Sequence, residues 1–295
     1  MHQKKYTIDI LTDTGLLGAK PSKVPIEQNH TLQDSSSHLL PNSAISTYRR
    51  IVGRLLYLTV ARPDIAYSVQ VLSQFLATPR SDHLQAAHKV LRYLKGSPGQ
   101  GLLMAANSPM SLTAYCDSDW AGDKETRHSL TGYCVQFGTS FIFWKCKKQH
   151  TISRSSAEAK YRSMADMCCE LTWLLNLFKS FGIYNLTPIS LYCDNKSAMY
   201  IASNSMFHER AKYIDIDCHI VREKLQLGTI APTHISTALQ PADIFTKALS
   251  AAQIQGFISK LGVCNLFKPP NLRGMLQLLL ELRWRMLSWM NNVQS

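Results

Sequence analysis

Three aspartates sit where a carboxylate could do chemistry. Asp117 lies in Tyr115-Cys116-Asp117-Ser118-Asp119-Trp120-Ala121-Gly122, Asp194 closes Leu191-Tyr192-Cys193, and Asp243 lies in Ala242-Asp243-Ile244-Phe245-Thr246-Lys247. Carboxylates at strand ends and on a neighbouring helix can hold two divalent ions, and two such ions can cleave a phosphodiester. A fourth segment, Ser153-Arg154-Ser155-Ser156-Ala157-Glu158-Ala159-Lys160-Tyr161, brings a lysine instead. Lys160 shares a helical face with Met164, Met167 and Leu171, which turns it toward Asp117 and Asp194. Its ammonium would pair with those acids and repel a cation. Glu158, two residues away, is rotated by about 200° and should face solvent.

Taken singly, each acid has a plainer role. Asp194-Asn195 at a strand-to-helix junction suits a helix cap. Asp243 suits the positive end of a helix. Asp119 shares a face with Asp117 if the strand continues, and otherwise belongs to a turn before Gly122.

The 295 residues carry a formal net charge of +12 and 45% hydrophobic residues. That length supports one or two globular domains, and that charge suits a nucleic-acid partner. Residues 1–110 hold 12 Lys/Arg against 6 Asp/Glu, and residues 111–250 hold 15 against 13. The acids therefore concentrate where the chemistry would be. Lys145, Lys147, Lys148 and Arg154 form a basic edge that could meet phosphates or simply stay solvated. Trp120 and Trp144 read as core packing. No C-x-x-C pair occurs among the 8 cysteines, which argues against structural zinc. The polar start, with no apolar run behind it, is not a secretory signal. The apolar run at 275–290 is interrupted by Glu281, Arg283 and Arg285, so no membrane span is expected.

The elements that must position these groups follow from periodicity. A short helix is expected around Tyr6–Leu11, stopping at Gly15, and then an extended linker over 19–46. Residues 47–96 read as three helices, with Asp64 at the positive end of the second and Ser81 capping the third. A turn spans Gly96–Gly101. Segments 111–119, 131–137 and 140–146 read as antiparallel strands. A helix over 155–180 buries Tyr161, Met164, Cys168, Leu171 and Leu174 and ends at Gly182. A strand at 189–193, helices at 195–203 and 210–226, a strand at 229–235 and a final helix at 240–249 complete the pattern. It describes a mixed five-stranded sheet flanked by helices. Pro269-Pro270 then breaks the chain before a helix candidate, Met275–Met290.

These segments together resemble the ribonuclease H domain of copia-type retrotransposon Pol polyproteins. The resemblance covers roughly residues 1–263. Tyr48-Arg49-Arg50-Ile51-Val52-Gly53-Arg54-Leu55-Leu56-Tyr57-Leu58, Arg62-Pro63-Asp64-Ile65 and Leu91-Arg92-Tyr93-Leu94-Lys95-Gly96 look like the end of the reverse transcriptase part. The implied layout is an N-terminal segment and linker (1–46), a helical thumb or connection remnant (47–108), a ribonuclease H-like α/β domain (109–252) and a tail (253–295).

By resemblance, Asp117, Asp194 and Asp243 are catalytic carboxylates and metal ligands. Lys160 stands where the family has a glutamate. His234 corresponds weakly to a loop histidine that assists proton transfer or product release in some relatives. His208 and His219 belong to a family segment and read as structural. The implied reaction is endonucleolytic cleavage of RNA in an RNA–DNA hybrid with two Mg²⁺ (or Mn²⁺) ions, weakened here by Lys160. A catalytically inactive nucleic-acid-binding remnant is the alternative. An upstream polymerase part is an implied partner, in the cytoplasm (a virus-like particle) or nucleus rather than outside the cell. The polymerase motif Tyr-x-Asp-Asp is absent from the chain, so no polymerase activity is expected.

Overall fold

The structure, a computed structural model, describes residues 1–30, 32, 37–203 and 214–265. The Met275–Met290 helix candidate, Pro269-Pro270 and the segment containing His208 lie outside the described residues.

The chain opens with four helices: α1 (Lys4–Asp13), α2 (Asn42–Leu58), α3 (Ala66–Ser73) and α4 (Ser81–Gly96). Tyr48, Ile51, Val52, Leu55 and Leu58 recur at three- and four-residue spacing on α2, and all are buried. The linker after α1 is irregular, yet it buries Ile26 and Leu32. Ser81 is the first residue of α4 and not its cap. The preceding Arg80 donates its N–H to His83 Nδ1 at 3.0 Å instead.

Asp64 has a different job from the one its position suggested. It is buried in a short 3-10 turn (Pro63–Ile65) and takes both its oxygens to Arg62, at 2.9 and 2.7 Å. Tyr93 donates its hydroxyl to the same carboxylate at 2.7 Å, and Arg62 also donates to the Ser97 carbonyl at 2.9 Å. Burial of this pair works against both charges, but each partner keeps the other ionised.

The sheet runs in the order β4-β3-β2-β5-β6. Its strands are β2 (Leu112–Asp119), β3 (Leu130–Phe137), β4 (Ser140–Lys148), β5 (Ile189–Cys193) and β6 (Ile230–His234). The first three are antiparallel, and β5 and β6 add in parallel. This is the mixed five-stranded arrangement the sequence implied. Pro232 lies on β6, an edge strand, where its missing N–H costs no inner ladder bond.

Helix α5 (Ser156–Ser180) packs on one face of the sheet with α6 (Lys196–Ser203) and α7 (Asp215–Gln226). Its stripe of Tyr161, Met164, Cys168, Leu171 and Leu174 is buried against Ala114, Cys116 and Leu191. Gly182, at φ 76°, lets the chain leave the helix. The N-terminal helices cover the other face. Their core residues join Cys134 and Phe141 of the sheet in one cluster, and Trp144 donates to the Thr59 carbonyl at 2.9 Å. Trp120, expected inside, is 51% exposed and keeps only its indole N–H engaged, with the Ser153 carbonyl.

Two expectations near the end of the chain are corrected. The expected helix at 240–249 is a five-residue 3-10 turn, Pro241–Phe245. Buried Gln240 holds it by donating to the Cys116 carbonyl at 3.1 Å. A helix that was not expected, α8 (Ala251–Lys260), follows, capped by Ser250 and Gln253. The turn expected over Gly96–Gly101 runs into a strand, β1 (Gln100–Leu102), which pairs with β7 (Val263–Asn265) in a second small sheet. No helix among the described residues is long and apolar enough to cross a membrane.

Candidate carboxylate centre

Register brings two of the aspartates level. Tyr115 of β2 pairs in parallel with Tyr192 of β5. Asp117 and Asp194 each lie two residues beyond that pair, so they leave adjacent strand ends on the same face. Asp243 arrives from the 3-10 turn, and a glycine lets it approach. Gly132 sits opposite Asp117 on β3. A Cβ on Gly132 would fall 2.6 Å from Thr246 Cγ2 and 2.8 Å from Phe245 Cβ, so any side chain there would push the turn off the sheet. The three carboxylates offer oxygens within 4.8 Å of one another.

Lys160 completes the group from the first turn of α5. Ser155 caps that helix by accepting the Glu158 N–H, and Ser163 anchors it to β2 through the Asp117 carbonyl at 2.8 Å. The Lys160 ammonium lies 2.9 Å from Asp117 Oδ1 and donates to Asp194 Oδ1. A second cation stands on the other side. Lys247 is 2.9 Å from Asp243 Oδ1 and 3.4 Å from Asp117 Oδ2. Thr246 donates to Asp117 Oδ2, and Thr237 to Asp194 Oδ2 at 2.9 Å. Sequence reasoning missed Lys247, although its place four residues after Asp243 on a turn is a readable pairing signal.

The charges sort themselves accordingly. Burial would raise the Asp117 carboxyl, but Lys247 and Lys160 bring it below the usual value. Burial and the ionised Asp117 beside it push Asp243 up to about 7, against Lys247. Burial works against the Lys160 ammonium, yet Asp117 and Asp194 hold it charged above its ordinary range.

Other candidates lie elsewhere. Asp119 turns away from the centre and accepts the Leu130 N–H, and burial pushes its carboxyl up to about 7. Glu158 also faces away, but it is not solvated as expected. It accepts the Arg154 N–H at 2.8 Å and pairs with Arg162 at 2.9 Å, because the helix start supplies both partners. His234 is exposed at the end of β6, opposite Cys193. The basic edge is largely neutralised. Lys145 pairs with Glu170 at 2.9 Å, Lys147 with Asp166 at 3.6 Å and Lys148 with Asp123. Arg154 is exposed. All eight cysteines are free thiols.

The fit of a divalent metal can be judged from these groups. Three clustered carboxylates are the hard oxygen donors such an ion takes. Asp117 Oδ1, buried, has the Lys160 ammonium beside it at 2.9 Å, so a cation of the chain already stands against that oxygen. The two ammoniums do not fit. They leave the three acids with a formal charge of only −1, and Lys160 lies between the two strand-end carboxylates. The residues present do not fit a metal pair.

Comparison with known proteins gives the chain its relatives. It is 42% identical over 271 residues to the "Retrovirus-related Pol polyprotein from transposon RE1" of Arabidopsis thaliana, covering 92% of this chain. It is 41% identical over 278 residues to the corresponding RE2 polyprotein, and 35% over 257 residues to that of transposon TNT 1-94 from Nicotiana tabacum.

The chain belongs to the retrovirus-related Pol polyproteins of transposons.

It spans 18–19% of the length of those Pol polyproteins. No family model matches it. Among solved structures, ribonuclease H1 from Halobacterium salinarum NRC-1 matches 46% of this chain and 94% of its own, at 15% identity and a TM-score of 0.28. As a Pol polyprotein segment, the chain carries Lys160 inside a group of acids that its sheet has brought together.

Proposed function

We propose that this chain is the ribonuclease H module of a transposon Pol polyprotein, shaped for RNA–DNA hybrid, and that Lys160 has taken its carboxylate centre out of use for metal-dependent cleavage. The observation that carries this reading is the Lys160 ammonium bridging Asp117 and Asp194. Three further features support it: relatives along nearly the whole chain, a mixed sheet in the implied order, and convergence of all three implied carboxylates.

The reaction the family resemblance implies draws its activated water and leaving-group stabilisation from two Mg²⁺ or Mn²⁺ ions. Like charges 4 Å apart repel by about 4 kcal/mol at an effective dielectric near 20, against ~1.4 kcal/mol for each tenfold change in affinity. An ammonium in van der Waals reach of an incoming dication is therefore enough to cost several powers of ten in metal binding. Hybrid recognition needs none of these ions and remains as the activity of the module.

The test is hybrid cleavage by the full chain and by Lys160→Glu, with Mg²⁺ or Mn²⁺. The unmodified chain should cut far more slowly than the variant, and calorimetry should show Mg²⁺ binding only to Lys160→Glu. Cleavage by the unmodified chain at the variant's rate would show that the ammonium leaves the centre when substrate binds.

A further inference from the structure

Three cations without an ion pair among the described residues gather where the N-terminal linker meets α4, far from β4 in sequence. Where residues 19–23 cross the last turns of α4, the Ser22 N–H bonds the Arg92 carbonyl at 3.1 Å, and Lys95 donates to the Ala19 carbonyl. The crossing leaves an open notch of about 310 Å³ lined by Ala19, Lys20, Pro21, Ser22 and Arg92. A cavity of about 370 Å³ borders Lys23 together with the polar Ser22, Ser97 and Gln100.

Lys20 and Lys23 are exposed and Arg92 is half-buried, and none of the three has an ion-pair partner among the described residues. Lys89, one turn earlier on α4, is by contrast paired with Glu27. Arg92 still acts on its neighbours. After burial, it is the cause that lowers both His88 and Lys89, as expected where cations crowd without enough acid between them. An arginine toward a helix C-terminus also complements the helix dipole, but that role needs neither Lys20 nor Lys23.

We propose that this notch, lined by Lys20 and Arg92 and flanked by Lys23 of the adjoining cavity, grips the phosphate backbone of a nucleic acid, and that the lysine row of β4 does not. A planar guanidinium set in a concavity, with two exposed ammoniums beside it, suits successive phosphodiesters of a strand laid across it. A flat bilayer surface would meet the exposed lysines but not the recessed arginine. The β4 lysines each begin with a carboxylate partner, so a phosphate gains there only what Glu170, Asp166 or Asp123 gives up. The inference rests on the chain being a nucleic-acid module, and not on whether it cleaves.

The experiment is fluorescence anisotropy of a labelled RNA–DNA hybrid with the full chain over a range of KCl concentrations. Two triple variants are compared, Lys20→Ala/Lys23→Ala/Arg92→Ala and Lys145→Ala/Lys147→Ala/Lys148→Ala, with circular dichroism to check folding. Each neutralised phosphate adds about 0.9 to the slope of log affinity against log salt, so the notch variant should lose about two to three of that slope and about tenfold or more in low-salt affinity. The β4 variant should keep the parent slope. An unchanged slope in the notch variant, or a loss confined to the β4 variant, overturns the proposal. Notch-dependent binding to phosphatidylserine vesicles without hybrid binding overturns it in favour of a lipid surface. Cleavage by Lys160→Glu is read separately, so a failure of the cleavage reading leaves this result standing.

Discussion

Two ionic groups of the molecule are built to opposite standards. Around Asp64, one arginine meets one carboxylate through two parallel hydrogen bonds, and Tyr93 and the Ser97 carbonyl take up the remaining capacity. Around Asp117, three carboxylates share two lysines, and the formal charge does not cancel. The first group is a matched structural pair. The second has a surplus of acid. Asp243, pushed up to about 7 by burial and the ionised Asp117, takes up part of that surplus as a proton.

The largest expected effect falls on the matched pair. Arg62→Ala leaves Asp64 buried and uncompensated, and should cost about 3–5 kcal/mol in urea unfolding. Arg62→Met with Asp64→Leu should cost clearly less than Arg62→Ala, because no charge is then stranded. Equal losses for the single and double variants would show that packing, not charge, sets the cost. The comparison would then collapse.

The carboxylate centre should behave differently. Without divalent ions, Lys160→Glu should be less stable than the parent, since a fourth acid joins three. With Mg²⁺ at about 100 times its dissociation constant, binding should return about 2.7 kcal/mol to the variant. The parent's melting temperature should be insensitive to Mg²⁺. A parent that melts higher in Mg²⁺ than in chelator would mean that the dication binds beside or displaces the lysines.

Stability should also depend on pH through this centre and the neighbouring Asp119. Asp119 and Asp243 are both raised to about 7, so the folded chain holds protons there that the unfolded chain releases near the ordinary value of 3.8. Their contribution is fully present below that value and is lost as pH rises through about 7. Asp117 is lowered, so its contribution is present above 3.8 and lost as pH falls below it. Thermal melts should therefore decline between about pH 4 and 7, and Asp119→Asn should flatten that decline. A decline untouched by Asp119→Asn and by Asp243→Asn would assign the protons elsewhere.

The sequence disclosed the sheet and the acids better than what surrounds them. Strand β5 and helix α5 were legible because alternation and a long apolar stripe are local signals. Strands β1 and β7 are three residues each, too short for any period to show. Helix α8 was legible in principle, since Ser250 and Gln253 have the capping-box spacing. Asp194 directly follows one apolar strand and Asp117 lies two residues before the end of another, which marks them locally. Nothing near Gly132 tells that a turn more than a hundred residues later must lie against it. The partners of Lys145, Lys147 and Lys148 likewise come from α5 and the Asp123 loop, so the neutral character of β4 is a tertiary fact.

The smallest effect concerns Glu158, the remaining acid of the α5 start. Its side chain closes the helix N-terminus through the Arg154 N–H and holds Arg162 one turn on. With Ser155 it has the spacing of a capping box. Glu158→Ala should therefore cost about 0.5–1.5 kcal/mol of stability, the range of a lost cap. In a Lys160→Glu background, the same change should leave Mg²⁺ affinity and hybrid cleavage within about twofold, because Glu158 faces away from the centre and its charge is already paired with Arg162. Loss of Mg²⁺ binding in that double variant would place Glu158 among the ligands. The surplus acid of the centre would then have been undercounted by one, and the contrast with the Arg62–Asp64 pair would sharpen.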